Sequence, residues 1–185
     1  MNIPDYNTCC ELLERFEVPE HIINHSRQVA IISLCLREGL ALRGIDFDRE
    51  LLLSAGLLHD IAKMASIKNG RDHAELGAQW LDLEGYSEIG EIVRNHVRLE
   101  TNLAGPIVAK EIIYYADKRV RHVEIVSVAE RLTDLRERYG VNSSSLVKLS
   151  DLENLTLAVE KKIFSCLDFP PENILIRCRG KNLLT

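Results

Sequence analysis

Several features that would assign this sequence to a particular class of protein are missing from it. No apolar run approaches the roughly 20 residues that a membrane-spanning helix needs. The N-terminal residues lack the basic region and the apolar stretch of a signal peptide. The five cysteines contain no Cys-x-x-Cys pair, which argues against a disulfide scaffold and against a zinc-thiolate site. We therefore expect no membrane partner and a location in the reducing cytoplasm.

Charge of one sign is not concentrated anywhere in the chain. The formal net charge is -5, and no block of lysine or arginine forms a basic stripe. Sequence-independent binding of nucleic acid depends on the neutralisation of phosphates by such residues, so we expect no nucleic-acid partner. A local basic pocket for a small phosphorylated ligand is still compatible with this composition.

The residues that are present suit one helical domain. The chain has 185 residues, of which 46% are hydrophobic and 28% charged, and this is enough for a single core. Apolar residues recur at helical spacing, and no segment has the alternation of a convincing strand. We find no repeat and no low-complexity linker. The sequence predicts an all-α fold, a compact single-domain helical bundle over residues 1–185.

Proline, glycine and capping residues bound the predicted helices. They are expected at about 5–16, 20–43, 48–66, 72–83, 87–99, 105–121, 124–139 and 144–166. Pro106 is predicted in the first turn of its helix. The tail after Pro170-Pro171 contains the apolar patch Ile174-Leu175-Ile176. This patch either packs on the domain or forms a homodimer contact.

The helix predicted at 48–66 contains ionisable residues where only apolar ones are expected. Its apolar residues leave almost no polar face, so we expect it at the centre of the bundle. His59, Asp60 and Lys63 nevertheless sit inside it. A buried carboxylate must be paired, metal-bound or neutralised, because its desolvation is costly. This segment therefore indicates a functional site.

Four other predicted helices each place one metal-ligand residue on a core-facing stripe. These residues are His25, His73, His96 and Asp117. Taken singly, each histidine is better explained as a core histidine, and the aspartate as an ion-pair partner. Together with His59 and Asp60 they indicate a metal site. The absence of cysteine ligands favours a hydrolytic metal such as iron or manganese over structural zinc.

The order His…His-Asp…Asp resembles the HD superfamily of metal-dependent phosphohydrolases. The segment that carries the resemblance best is Leu57-Leu58-His59-Asp60-Ile61-Ala62-Lys63, and His25-Ser26 followed by Val29-Ala30 resembles the first histidine motif of the family. The resemblance implies an HD-type helical fold with its catalytic core at about 20–121. C-terminal helices and the tail would then occupy about 124–185.

Further motifs are similar to the bacterial branch that symmetrically hydrolyses diadenosine tetraphosphate with a dinuclear iron centre. They are His73-Ala74-Glu75-Leu76, Arg94-Asn95-His96 and Tyr115-Ala116-Asp117-Lys118. The resemblance implies two divalent ions, with iron favoured and manganese, magnesium or another divalent metal as alternatives. One ion would be held by His25, His59, Asp60 and Asp117, and the second by His73 and His96, with Asp60 bridging both.

Such an arrangement predicts hydrolysis of a phosphoester or phosphoanhydride by a metal-activated water. Asp60 and Lys63 are the predicted catalytic residues, although Lys63 either contacts a phosphate or pairs with Asp60. Arg121 is a second predicted substrate contact, because it would lie one helical turn after Asp117. The arginines of the helix at 124–139 are predicted to form an exposed face.

The predicted substrate is a small phosphorylated molecule, a nucleotide or a dinucleoside polyphosphate. Two alternatives remain open at this point. One is a mononuclear HD nucleotidase that acts on nucleoside monophosphates, and the other is a non-catalytic, nucleotide-sensing HD module.

Overall fold

The computed structural model describes residues 2–181, which form α-helices and one short hairpin. In chain order the elements are α1 (Tyr6–Arg15), α2 (Glu20–Ala41), α3 (Arg49–Leu58), α4 (Lys63–Asn69), α5 (His73–Leu83), α6 (Ser87–Arg94), α7 (Ala109–Asp117), β1 (Val120–Arg121), β2 (Glu124–Ile125), α8 (Val128–Tyr139), α9 (Ser143–Phe164), a 3-10 turn (Pro171–Asn173) and α10 (Ile174–Cys178). The predicted all-α helical bundle is confirmed. Within the described residues, no helix combines the length and apolar character that a membrane crossing requires.

Helices α2 and α3 pack against each other at the centre, and α7 packs on both. The close approach of α2 and α3 depends on Gly56. A Cβ atom at this position would lie 2.7 Å from the Cα atom of Ala30. Since neither backbone can yield without moving a helix, this contact fixes how far His25 on α2 lies from His59 after α3.

The predicted continuous helix over 48–66 is wrong, because residues 59–62 form a turn between α3 and α4. The ring Nδ1 of His59 bonds to the carbonyl oxygen of Gly56 at 2.8 Å. In a continuous α-helix that oxygen would accept the N–H of Asp60. The backbone tightens here into contacts between residues three apart, as from Ile61 N to Leu58 O at 3.1 Å. His59 and Asp60 therefore lie at a helix end and not within a helix.

Two other predicted helices are also shorter in the structure. The helix predicted at 87–99 is α6, which ends at Arg94, so His96 lies in the turn that follows it. The helix predicted at 105–121 is α7, which begins at Ala109, because the Glu111 carboxylate accepts the backbone N–H of Val108 at 3.1 Å and ends the preceding extended segment. The prediction that Pro106 lies in the first turn of this helix is therefore wrong.

The chain after α7 turns back as a two-residue hairpin, contrary to the expectation of no strand. Val120 pairs with Ile125, and Arg121 pairs with Glu124. His122, in the connecting turn, has a φ of 57°, a left-handed conformation that the tight hairpin imposes. The hairpin replaces the end of one predicted helix and the start of the next, and it directs α8 back over the centre of the bundle.

The tail packs on the domain through part of its apolar patch. Ile174 is fully buried and α10 lies against α2, whereas Leu175 and Ile176 are exposed. The guanidinium of Arg119 donates to the carbonyl oxygen of Pro171 at 3.2 Å from two of its nitrogens. The homodimer contact stays a prediction.

Candidate metal centre

The six predicted ligand residues converge at the centre of the bundle. They come from α2, from the turns that follow α3 and α6, from the first residue of α5 and from the last residue of α7: His25, His59, Asp60, His73, His96 and Asp117. All are buried except His73, which is partly exposed. The helix ends therefore supply most of the site, since side chains at the end of a helix can point across the centre of the bundle.

The first group surrounds one oxygen of Asp60. Asp60 Oδ2 lies 3.5 Å from Nε2 of His59 and 4.0 Å from Nε2 of His25. These three residues could hold a metal ion together. Asp117 borders the group, because its Oδ1 lies 3.0 Å from Nε2 of His25 and 3.7 Å from Nε2 of His59.

The second group surrounds the other oxygen of the same carboxylate. Asp60 Oδ1 lies 3.3 Å from Nε2 of His73 and 3.6 Å from Nε2 of His96. The two histidine Nε2 atoms are 3.1 Å apart. These residues also form a set that could hold a metal ion. The carboxylate of Asp60 thus faces one group of histidines with each of its oxygens.

The four distances from the Asp60 oxygens to histidine Nε2 atoms, 3.3–4.0 Å, are longer than the usual N–H···O bond of about 2.7–3.2 Å. Metal bonds of roughly 2.0–2.2 Å place neighbouring ligand atoms roughly 3–3.5 Å apart. Nε2 of His59 and Oδ1 of Asp60 are buried and have no hydrogen-bond partner among the described residues. Buried polar atoms without partners are rare and call for an explanation. A divalent cation in each of the two groups would give both atoms a partner, so the residues present fit a metal.

Each of the three buried histidines is oriented by a backbone carbonyl. Nδ1 of His59 bonds to Gly56 O at 2.8 Å, and Nδ1 of His96 bonds to Val93 O at 2.6 Å. Nδ1 of His25 bonds to the carbonyl oxygen of His122 at 3.0 Å. Because a carbonyl only accepts, Nδ1 carries a proton in each ring, and Nε2 is the ring nitrogen that faces Asp60 or Asp117. Metal-binding histidines are commonly fixed in this way.

The charges in the centre depend on one another. Burial raises the pKa values of Asp60 and Asp117, but His59 and Lys118 respectively are the leading influences that bring them well below the ordinary range. Burial lowers the pKa of His96 to about 4, which leaves this ring neutral and able to bind a metal. Burial also lowers the pKa of His59, yet the carboxylates of Asp60 and Asp117 and the bond to Gly56 together outweigh burial and raise it.

Two lysines neutralise the carboxylates on the sides that the histidines leave open. Lys63 Nζ lies 2.6 Å from Asp60 Oδ2, which is the ion pair that the sequence left as one of two alternatives. Lys118 Nζ lies 2.6 Å from Asp117 Oδ2 and donates to the carbonyl oxygen of His96 at 3.0 Å. Lys118 is buried and belongs to the centre, although it lies at the end of α7. Its position directly after a predicted ligand was the available signal.

A cavity of about 200 Å³ opens next to the first group. It is lined by His25, Asp60 and Lys63 together with residues that the sequence did not connect with the site, among them His122, Arg131 and Arg138. Arg121 does not line it. Because α7 ends at Asp117, Arg121 lies in β1, where it pairs with Glu124 at 2.8 Å and lines a different cavity. The expected position of Arg121, one helical turn after Asp117, is therefore wrong.

Comparisons with known proteins identify the family and little beyond it. The family model described as HD domain matches residues 22–135. Ribonuclease Y of Helicobacter pylori is 35% identical over 65 residues, which are 35% of this chain and 11% of that protein. The tRNA (cytidine(56)-2'-O)-methyltransferase of Thermoplasma volcanium is 29% identical over 96 residues, which are 51% of this chain and 26% of that enzyme.

An uncharacterized protein of Methanocaldococcus jannaschii has a more similar length, and it is 26% identical over 144 residues, 70% of this chain and 84% of that protein. No solved structure matches the chain. The chain spans only about a tenth of the ribonuclease Y that it matches and about a quarter of the methyltransferase. The family match covers more than half of the chain and contains all six candidate ligands. The chain belongs to the HD-domain family of metal-dependent phosphohydrolases.

Proposed function

We propose that the chain hydrolyses a phosphoester or phosphoanhydride bond of a nucleotide or dinucleoside polyphosphate, using two divalent ions with iron favoured. The proposed ligands of one ion are His25, His59, Asp60 and Asp117, and those of the other are Asp60, His73 and His96. The observation that carries this proposal is the carboxylate of Asp60. It is buried and ionised, each of its oxygens faces a separate set of histidine Nε2 atoms, and Oδ1 has no hydrogen-bond partner among the described residues.

A pair of divalent ions in such a site supplies a hydroxide at neutral pH and offsets the charge of the phosphoryl oxygens. The residues of the chain have two further tasks. Asp60 holds both ligand sets at a fixed separation. Lys63 is about two-fifths exposed at the cavity and keeps N–H groups that do not face Asp60. We assign these N–H groups to a phosphate oxygen of the substrate.

The cavity constrains how a nucleotide would bind. Its volume of about 200 Å³ is below the range of roughly 300–1,000 Å³ that encloses a whole drug-sized ligand. The phosphate end would occupy it, and the base would lie at the open rim near Met64 and Ile67. Diadenosine tetraphosphate remains a substrate to test because of the motif resemblance. An RNA oligonucleotide is a second substrate to test, because two of the similar proteins are named as a ribonuclease and a tRNA methyltransferase.

The proposal is tested by metal analysis of the purified protein together with a hydrolysis panel. The panel contains nucleoside mono-, di- and triphosphates, diadenosine tetraphosphate, a short RNA and a generic phosphomonoester, each with iron, manganese and magnesium. We expect about two metal ions per chain after reconstitution. Fewer than one ion per chain, or no turnover of any substrate with any of these metals, would contradict the enzymatic proposal.

Three variants separate the proposed function from its alternatives. Asp60→Ala should remove both the bound metal and the activity, because both ion sites lose a ligand. His73→Ala and His96→Ala should remove about one ion each. If they leave the metal content and the rate unchanged, the mononuclear nucleotidase is the correct description. A wild-type protein that binds metal and nucleotide without turnover would instead be the sensing module.

A further inference from the structure

One wall of the cavity is the face of α8 that carries two arginines. Arg131 and Arg138 are seven residues apart, about two helical turns, so they lie on the same face of the helix. Both line the cavity that also contains Asp60 and Lys63. From the sequence this face was interpreted as exposed. In the structure the side chain of Arg131 is only 14% exposed.

The two guanidinium groups are held together by one carboxylate. Asp134 lies between them on α8, and its Oδ2 is 2.7 Å from Arg131 Nη1 while its Oδ1 is 2.7 Å from Arg138 Nη2. The buried Nε of Arg131 has no hydrogen-bond partner among the described residues. A guanidinium has five N–H donors, so Arg131, which lines the cavity, keeps donors that its ion pair with Asp134 does not use.

The charge of this wall is not balanced by the protein groups around it. Asp134 compensates one of the two guanidinium groups, and Asp60 compensates the ammonium of Lys63. One positive charge is left before any metal ion is added. Arg138 is 42% exposed and shares Asp134 with Arg131, so an anion that enters the cavity would complete the charge balance of the pair.

The arginine pair is also connected to the proposed metal ligands. Nη2 of Arg138 lies 3.0 Å from Nε2 of His122, and the carbonyl oxygen of His122 lies 3.0 Å from Nδ1 of His25. The same turn residue thus orients a metal ligand with its backbone and contacts the arginine with its ring. This places the guanidinium groups at a defined position relative to the metal centre.

We infer that Arg131 and Arg138 form an anion subsite that binds a second phosphate of the substrate, so that the site prefers phosphoanhydrides to phosphomonoesters. The inference rests on the proposed function and narrows its substrate class. The phosphate that is cleaved has the two ligand groups and Lys63 around it. The arginines line the wall contributed by α8, and one guanidinium group can bind two phosphate oxygens at the same time. A nucleoside diphosphate or a longer polyphosphate offers such a neighbouring phosphate, and a monophosphate does not.

Binding of two phosphonates to the metal-reconstituted protein tests the subsite without turnover. Methylenediphosphonate carries two phosphoryl groups joined by carbon and methylphosphonate carries one, and their dissociation constants are measured by calorimetry. We expect Arg131→Gln and Arg138→Gln each to weaken the diphosphonate about 10- to 100-fold, since charged hydrogen bonds contribute about 1.5–3 kcal/mol. The loss for methylphosphonate should be at least tenfold smaller.

Arg136→Gln is the matched control, because Arg136 lies on the same helix but pairs with Glu153 of α9 and does not line the cavity. It should leave both dissociation constants unchanged. Arg131→Lys keeps one positive charge for Asp134, so it should fold normally and bind the diphosphonate with intermediate affinity. Thermal unfolding of every variant identifies losses that are due to misfolding.

Equal losses for the two phosphonates, or no loss for either, would overturn the subsite. The turnover of a nucleoside diphosphate and of the corresponding monophosphate is measured in parallel, and kcat/KM should fall more for the diphosphate in both glutamine variants. If the wild-type protein turns over no substrate of the hydrolysis panel, the proposed function fails. A selective loss of diphosphonate binding would then still support the subsite, so the two failures are distinguishable.

Discussion

Gly56 lies where α3 crosses α2, and a side chain there has no room. The three atoms nearest to a Cβ at this position all belong to Ala30: Cα at 2.7 Å, Cβ at 2.9 Å and N at 3.0 Å. None of them is the end of a flexible side chain. Gly56→Ala should therefore push the two helices apart, although the same change in an exposed helix would stabilise it by up to about 1 kcal/mol.

The size of the effect follows from these opposing contributions. Overpacking of a well-filled core costs about 1–3 kcal/mol, so we expect a net loss of about 1–2 kcal/mol in the free energy of unfolding. For a domain of this length that corresponds to a fall of about 2–8 °C in the melting temperature. The carbonyl of Gly56 also orients the ring of His59. Movement of α3 should accordingly weaken metal binding about tenfold or more.

Circular dichroism during thermal and urea unfolding measures the stability, and metal titration measures the affinity. Gly77→Ala is the matched control for stability. The two atoms nearest to its Cβ would be methyl groups of Ile61 and Val93, at 3.2 and 3.3 Å, and these side chains can adjust, while the Cβ of Ala62 at 3.7 Å is an ordinary contact. The control should change the stability by less than about 1 kcal/mol. A Gly56→Ala protein as stable as the wild type would refute the argument that backbone contact sets the spacing of α2 and α3.

Three further predictions concern the groups around the centre. Lys118→Met leaves Oδ2 of Asp117 buried without its cation, and urea unfolding of the metal-free protein should show a loss of about 3–5 kcal/mol; a loss below 1 kcal/mol would contradict the ion pair. Chelation should lower the melting temperature, because metal at 100 times its dissociation constant stabilises the folded state by about 2.7 kcal/mol, and an unchanged melting temperature would argue against a resident metal. Arg119→Met removes the contacts to Pro171 O, so amide exchange in α10 should accelerate while exchange in α5 stays unchanged.

Local signals in the sequence were sufficient for the helices whose ends are set by capping residues. The helix predicted to start at residue 72 is an example, because the carboxylate of Asp72 accepts the N–H of Ala74 at 2.9 Å at the start of α5. The identity of the six candidate ligands was also accessible. Each is an ionisable residue on an apolar stripe of the sequence. A core-facing stripe is expected to contain apolar residues only, so an ionisable residue there is conspicuous.

The arginines of α8 could not be found in this way. Arg131 and Arg138 alternate with acidic residues, a pattern typical of a solvated helix face. Their position depends on the hairpin at Val120–Ile125, which turns the chain back over the centre. The hairpin strands are only two residues long and contain no glycine in the turn, so neither alternation nor turn composition indicates them. Long-range packing alone places these side chains beside Asp60.

Two predicted helices end earlier in the structure than expected. In both cases the helix is ended by a histidine that is also a proposed metal ligand. His59 and His96 each bond through Nδ1 to the carbonyl three residues earlier, Gly56 O and Val93 O. In both places the ring takes a carbonyl that a continuing helix would use, so the helix ends there. The same bond places a proton on Nδ1 and turns Nε2 towards Asp60, where this nitrogen would be available to a metal ion. Apolar periodicity continues through the turn after His59 and cannot reveal it, because the tightened turn keeps neighbouring side chains in nearly helical positions. At His59 and at His96, one hydrogen bond from Nδ1 to the backbone therefore both ends the helix and orients the ring as a proposed ligand.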